Sequence, residues 1–248
     1  MFIQRVISKL NWDVSSFLGR LSHVSGVQKQ TLKQVWESST VEVQRHGFHW
    51  EKQIVAAITG KKSFSFGYTS KYDLPADQNP EGVNLSVKTT GSNTVFLADA
   101  VRFYESLSEE TNMVVIQYKQ DHGVKKLTRI SELKLRGTQT LLFGQVTKEE
   151  LVQLSDLIKK VPQKRKPTLI ERQHIYEFRD SLQQRCGRVH LDVKCNSTQS
   201  RLQCSLSGFD KFLSENKDIV VSSDTSPRFR GVTINDTIVS GKRVMKSK

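Results

Sequence analysis

Four side chains in the first half of the chain have the types and spacing to work on a charged substrate: Glu51, Asp73, Ser86 and Lys88. Carboxylates hold hard divalent cations, and a lysine ammonium beside them meets an anionic group and its attacking water. Glu51 shares a helical face with Val55 and Ile58, at spacing i, i+4, i+7. A carboxylate on an apolar stripe needs a cation, a donor or a metal, because burying it bare is expensive. Asp73 stands in YDLPAD, at the end of an aromatic run that reads as a strand giving way to a turn. Ser86 and Lys88 lie two apart, so on a strand they share one side, opposite Val83, Leu85 and Val87. The chemistry this set fits is metal-assisted hydrolysis of a phosphodiester. Asp77 and Glu81, in the same turn-rich stretch, are rival acids for the place of Asp73.

Elements of ordinary kind must hold these groups. Residues 1–60 read as helical, with a short helix from Val27 to Trp36 and a better one opening near Gly47. Phe64 and Phe66 alternate with serines, and residues 83–88 alternate apolar and polar, which predicts strands. After the loop TTGSN a helix is expected over Leu97 to Ser106. MVVIQYKQ reads as a buried strand, the turn at Asp121 to Gly123 follows, and VKKLTRI returns as its hairpin partner. TLLFGQ reads as a further strand. Thr147 with Glu150 three residues on is a capping box for the helix EELVQLSDLIKK. Beyond PQKRKP come a helix from Leu169 to Gln184, strands over Val189 to Cys195 and Arg201 to Leu206, and a short helix near Phe209 to Leu213.

A helix bearing Glu51, an Asp at the end of a strand and a strand ending in x-x-Lys resemble the PD-(D/E)xK nuclease superfamily, and within it the type II restriction endonucleases. The resemblance covers about residues 45–120, and SVKTTGSNTVFLADAVRFY looks like the strand, loop and helix after the family's catalytic lysine. It implies an α/β (α+β) fold, a restriction-endonuclease-like core of a mixed sheet flanked by helices, with a basic C-terminal α+β region. It also implies roles: Asp73 as principal Mg²⁺ ligand (Mn²⁺ a substitute), Glu51 as auxiliary ligand, and Lys88 orienting or deprotonating the water. Ser86 departs from the family's acidic residue at that place, and the Val87 carbonyl would supply a further oxygen. Site-specific cleavage of double-stranded DNA, a homodimer on a palindrome and a companion DNA methyltransferase are the activity and partners it implies. A structure-specific repair or junction-resolving nuclease of the same superfamily, and a basic DNA-binding protein without catalysis, are the rival readings.

Charge supports a polyanionic partner. Of 248 residues, 38 are Lys or Arg and 25 Asp or Glu, a net charge of +13. Residues 1–120 carry 13 cations against 11 acids, whereas residues 121–248 carry 25 against 14. The excess sits in the second half, which suggests that the partner is met there. On residues 188–194, Arg188, His190, Asp192 and Lys194 share a face; Arg201, Gln203 and Ser205 form the matching face of the next strand. A two-stranded ribbon with that face fits a DNA major groove and carries donors for guanine and adenine edges. Lys164 and Arg165, in the run KKVPQKRK, together with Arg228 and Arg230, are expected at phosphates, as are Ser92 and Asn93. Asp192-Val193-Lys194 is a second D-x-K triplet, with Glu177 upstream, and is the alternative site.

The domain expectation follows: residues 1–161 as helical region and core, 162–167 as a basic linker, and 168–248 as a recognition region that can pack with the core. Asp99 and Arg102, three apart on a helix, read as a surface ion pair. His46 and His49 flank the start of the Glu51 helix. Three cysteines without a Cys-x-x-Cys pair fit buried hydrophobes better than a disulfide or zinc framework, so a reducing, cytoplasmic compartment is expected. No run approaches the roughly 18 apolar residues of a membrane span.

Overall fold

The computed structural model describes residues 42–61, 71–122, 124–162, 165–196 and 199–239. The expected helix at Val27 to Trp36, the strand around Phe64 and Phe66, and Lys164 lie outside them. Helix α1 runs Glu42–Thr59 and starts earlier than its Gly47 signal. Its buried stripe is Trp50, Ile54 and Val55, with Ala57 and Ile58 partly buried beside it.

A mixed sheet forms the centre. Strand β1 (Asn84–Thr90) runs parallel to β3 (Thr111–Asp121), which pairs antiparallel with β4 (Val124–Lys134). Strands β1 and β3 are joined by β2 (Thr94–Asp99) and helix α2 (Ala100–Ser106). Four consecutive residues of β3, Met113 to Ile116, are at most 2% exposed, so this strand is covered on both faces. Met113 and Val115 belong to one apolar cluster, Val114 and Ile116 to another that includes α1.

The helices α3 (Gln139–Phe143), α4 (Lys148–Lys159) and α5 (Leu169–Gln183) follow. Segment 139–143 is helical, against its reading as a strand. Leu142 and Phe143 are adjacent and both buried in one cluster, a placement that a strand's alternation forbids and a helical turn allows. Capping boxes at Thr147/Glu150 and Thr168/Glu171 open α4 and α5.

Strands β5 (Val189–Cys195) and β6 (Ser200–Ser207) form the expected hairpin, but it is not a free two-stranded ribbon. Strand β2 pairs with the outer edge of β6, giving the order β2-β6-β5. The expectation that residues 97–106 are one helix fails for the same reason: Val95 and Leu97 enter the core, Phe96 points out, and the helix begins only at Ala100. Asp99 is its N-cap, accepting from the Arg102 backbone N–H at 3.0 Å, where a side-chain ion pair with Arg102 was expected.

Beyond α6 (Phe209–Glu215), β7 (Val220–Asp224) and β10 (Thr237–Val239) pair with different stretches of β4, while β8 (Arg228–Phe229) and β9 (Val232–Thr233) form a small hairpin. Strands from the basic second half thus complete the central sheet, and residues 46–248 form one unit. The basic segment around Arg165 is the connection between α4 and α5.

Between Phe96 and Ala98 the β2–β6 ladder carries a bulge, and Ala98 has φ 88°. A Cβ at positive φ crowds the following carbonyl. Ala98→Gly is therefore expected to raise stability by about 0.5–1 kcal/mol in urea unfolding, despite the flexibility it adds.

Candidate active site

The residues from Lys71 to Asn84 fold into a clamp against β1. Leu74 bridges Leu85, with the Leu85 N–H donating to the Leu74 carbonyl at 2.8 Å and the Leu85 carbonyl accepting from Asp73 and Leu74. The turn between is internally bonded: buried Asn79 donates to the Val83 carbonyl at 2.6 Å and accepts from the Glu81 N–H, while Asn84 accepts from the Ala76 N–H. Glu109 holds the other end, accepting from Lys71 at 2.5 Å and from the Tyr72 hydroxyl at 2.7 Å.

This clamp sets Asp73 on β1 itself. Asp73 Oδ2 accepts from the Val87 backbone N–H at 2.6 Å. The Asn84 N–H points to β3, where it meets the Glu110 carbonyl, and the Leu85 N–H points the opposite way. By strand alternation the Val87 N–H and C=O share the Asp73 edge. Ser86 and Lys88 lie on one side of β1, and the Lys88 ammonium donates to Ser86 Oγ at 3.4 Å. Leu85 and Val87 occupy the other side, in the cluster with Trp50 and Ile54.

Glu51 joins them from α1. That helix is pinned by the Trp50 indole, which donates to the Asn235 carbonyl at 2.8 Å, and by Gln53, which accepts from the Asn235 N–H at 2.7 Å. Burial first and the charge of Asp73 second lift the Glu51 carboxyl to about 7, against the opposing charges of Lys88 and Lys52. Glu51 thus lies, half-buried, within electrostatic reach of both Asp73 and Lys88. Asp77 and Glu81 do not join it. Asp77 is exposed in the turn, and Glu81 pairs with Arg230.

The donor set is two carboxylates and one carbonyl, all hard oxygens. Among the described residues no three His, Cys, Asp or Glu side chains gather at one point. Such a set fits Mg²⁺, which keeps several waters and needs few protein ligands.

The raised Glu51 pKa has a sign that can be checked. Its unfolded value lies near 4.3. A carboxyl raised in the folded state favours folding below that value, and the benefit disappears as pH climbs toward 7. Metal-free Glu51→Gln is thus expected to melt above the wild type at pH 8 and level with it at pH 4. After discounting for partial exposure, the gain at pH 8 is on the order of 1–2 kcal/mol. If Glu51 is a ligand, Mg²⁺ is expected to raise the melting temperature of the wild type at pH 8 and to leave the variant little changed; equal responses would remove Glu51 from the ligand set.

The alternative triplet is not assembled. Asp192 accepts from Ser205 Oγ at 2.7 Å on the polar side of β5, whereas α5, bearing Glu177, packs on the elements of the apolar side. Glu177 accepts from Gln173 of its own helix.

Several expected DNA contacts have internal partners. Arg165 grips Glu171 with two bonds of 2.7 Å, and Arg188 donates to Glu215 at 2.8 Å. Arg230 binds Glu132, whose side chain is 1% exposed. A buried carboxylate demands that cation more than solvent does. Ser92 bonds within its turn, and Asn93 accepts from the Phe209 and Asp210 N–H groups, opening α6. On the outer side of the β2–β6–β5 sheet remain His190, Lys194, Arg201 and Gln203, with Val189, Leu191, Leu202 and Cys204 buried behind. His49 is exposed at the α1 surface, and the side chain of His46 lies outside the described set. The sequence reading missed Glu109, Asn79 and Phe96, although the alternation in TVFL marks β2.

No family model matches the chain, and no curated protein or solved structure compared with it matches either. None of the helices among the described residues is long and apolar enough to cross a membrane.

Proposed function

We propose that the protein is a Mg²⁺-dependent endodeoxyribonuclease of the PD-(D/E)xK kind, cutting double-stranded DNA at a specific short sequence. The observation that carries this reading is the bond from the Val87 N–H to Asp73, which fastens an acid 14 residues upstream onto the strand of Ser86 and Lys88. With Glu51 arriving from α1, a helix, a turn and a strand supply one group of charges.

Asp73 and Glu51 would hold the cation together with the Val87 carbonyl. When bound, Mg²⁺ supplies charge neutralisation at the phosphate and a water of lowered pKa. Lys88 meets the anionic phosphate and orients the attacking water, and Ser86 steadies the ammonium. Hydrogen bonding to Val87 leaves the second Asp73 oxygen for the site. The net +11 of residues 121–248 draws in the phosphate backbone. His190, Lys194, Arg201 and Gln203 offer a polar, cationic face to the DNA, and cutting both strands is simplest for a homodimer on a palindrome. A companion methyltransferase follows from the family resemblance alone.

Digestion of a long sequenced DNA in Mg²⁺, beside EDTA, tests the reading. Discrete bands that vanish in EDTA support it. A metal-dependent smear transfers it to a structure-specific nuclease, and intact DNA with a gel shift to a binding protein.

A further inference from the structure

Phe96 is 60% exposed, although it sits on an ordered strand eight residues after Lys88. Among the described residues it is the one exposed ring of the Phe, Tyr and Trp type. The sheet register places it in a row. Phe96 pairs with Ser205, and Ser205 pairs with His190. Strands lie about 4.8 Å apart, so the two rings spring from points about 10 Å apart with a small residue between them. A planar base between two rings needs two stacking distances of about 3.4 Å each, which that interval admits.

The floor and the next row are polar and oriented. Ser205 is 3% exposed and donates to Asp192 Oδ2 at 2.7 Å, while His190 Nε2 lies 3.9 Å from Asp192 Oδ1. Asp192 is thus a fixed acceptor beside the row. One row further, Lys194 faces Arg201 directly across the ladder. Like charges so placed repel, and among the described residues neither forms an ion pair. An anion between them relieves that repulsion. The bulge at Leu97 and the positive φ of Ala98 lie on the strand of Phe96, where strain re-aims side chains at binding surfaces.

We propose that this outer face takes one base of a nucleic acid out of its stack. Phe96 and His190 flank the base, Asp192 accepts from its exocyclic amine, and the Lys194–Arg201 pair holds a neighbouring phosphate. The ligand is an unpaired base that carries an exocyclic amine, cytosine, adenine or guanine, since thymine lacks one. Ser205 is 3% exposed in the free protein, so the side chains above it move aside to admit the base, a fast motion for surface side chains. The inference rests on the nucleic-acid part of the proposed function and not on cleavage.

Fluorescence anisotropy in EDTA with labelled oligo-dC and oligo-dT tests it on the full chain. The wild type binds oligo-dC more tightly than oligo-dT. Phe96→Ala weakens oligo-dC binding by about tenfold, the usual range for loss of a stacked base, and Phe96→Tyr restores it. Asp192→Asn abolishes the preference for oligo-dC over oligo-dT. Wild-type affinity in Phe96→Ala, or equal binding of the two oligomers by the wild type, overturns the proposal. So does a change of sedimentation in Phe96→Ala with DNA affinity intact, which makes the face an interface between copies. A wild type that cuts nothing in Mg²⁺ yet shows Phe96-dependent binding sinks the nuclease reading and sustains this one.

Discussion

Asp73→Asn and Lys88→Ala are each expected to lower the rate of Mg²⁺-dependent DNA cleavage by about 10²–10⁴-fold, the range for a positioned proton-transfer or charge-stabilising group. The two substitutions act differently. An asparagine at position 73 keeps an oxygen that can accept from the Val87 N–H, so the clamp of residues 71–84 on β1 survives while the metal-holding charge is gone. Asp73→Ala removes both, leaving a backbone N–H without its partner at a further cost of about 1–3 kcal/mol. Comparing the melting curves of the two variants separates chemistry from folding. Lys88→Ala leaves Ser86 and the strand in place, and a gel shift in EDTA is expected to match the wild type. If Lys88→Ala cuts at the wild-type rate, the site is not the one assigned here. The same assay with Asp77→Asn serves as the specificity control, because that acid is exposed in the turn and stands apart from β1.

Arg230→Met is expected to be the most damaging single change to the fold. Glu132 lies in β4 with its side chain 1% exposed, and it accepts from Arg230 Nη2 at 2.6 Å, Arg230 Nε at 3.2 Å and Asn112 Nδ2 at 2.8 Å. Removing the guanidinium strands a buried carboxylate, which costs about 3–5 kcal/mol. For a chain of this size that corresponds to a fall on the order of 10 °C in melting temperature. Adding Glu132→Gln to Arg230→Met is expected to recover most of the loss, since a neutral amide replaces the stranded charge. A melting temperature unchanged by Arg230→Met would refute the ion pair. Because Arg230 was read from the sequence as a phosphate contact, DNA affinity is the second readout. Affinity measured well below the melting transition is expected to stay within about twofold, as one exposed edge of a structural arginine adds little to an electrostatic surface.

How much of this was legible beforehand depends on whether the cause is local. The capping box at Thr147, the β3–β4 hairpin and the span of β5 follow from short-range patterns, because caps, turns and alternation act over a few residues. The shared side of Ser86 and Lys88 is of the same kind. Segment 139–143 was misread because five residues carry too little periodicity to tell a helix from a strand. There, burial of Leu142 and Phe143 in one cluster decided the outcome. Residues 97–99 were misread as helix because the partner that makes them part of a strand, β6, lies more than a hundred residues away.

The amino-acid sequence by itself determined which chemistry was available: two carboxylates, a lysine on a strand face, a serine in place of a third acid, and a cationic second half. Only the tertiary structure decided which acid is fastened to the lysine's strand, which arginines stay free and which strand borders the hairpin. The physical reason is that a side chain's type is a covalent fact, whereas its partner is settled by competition. Asp73 outdid Asp77 because the Leu74–Leu85 bridge brings it to the Val87 N–H. Arg230 went to Glu132 because a buried carboxylate binds a cation more strongly than water or a distant phosphate does.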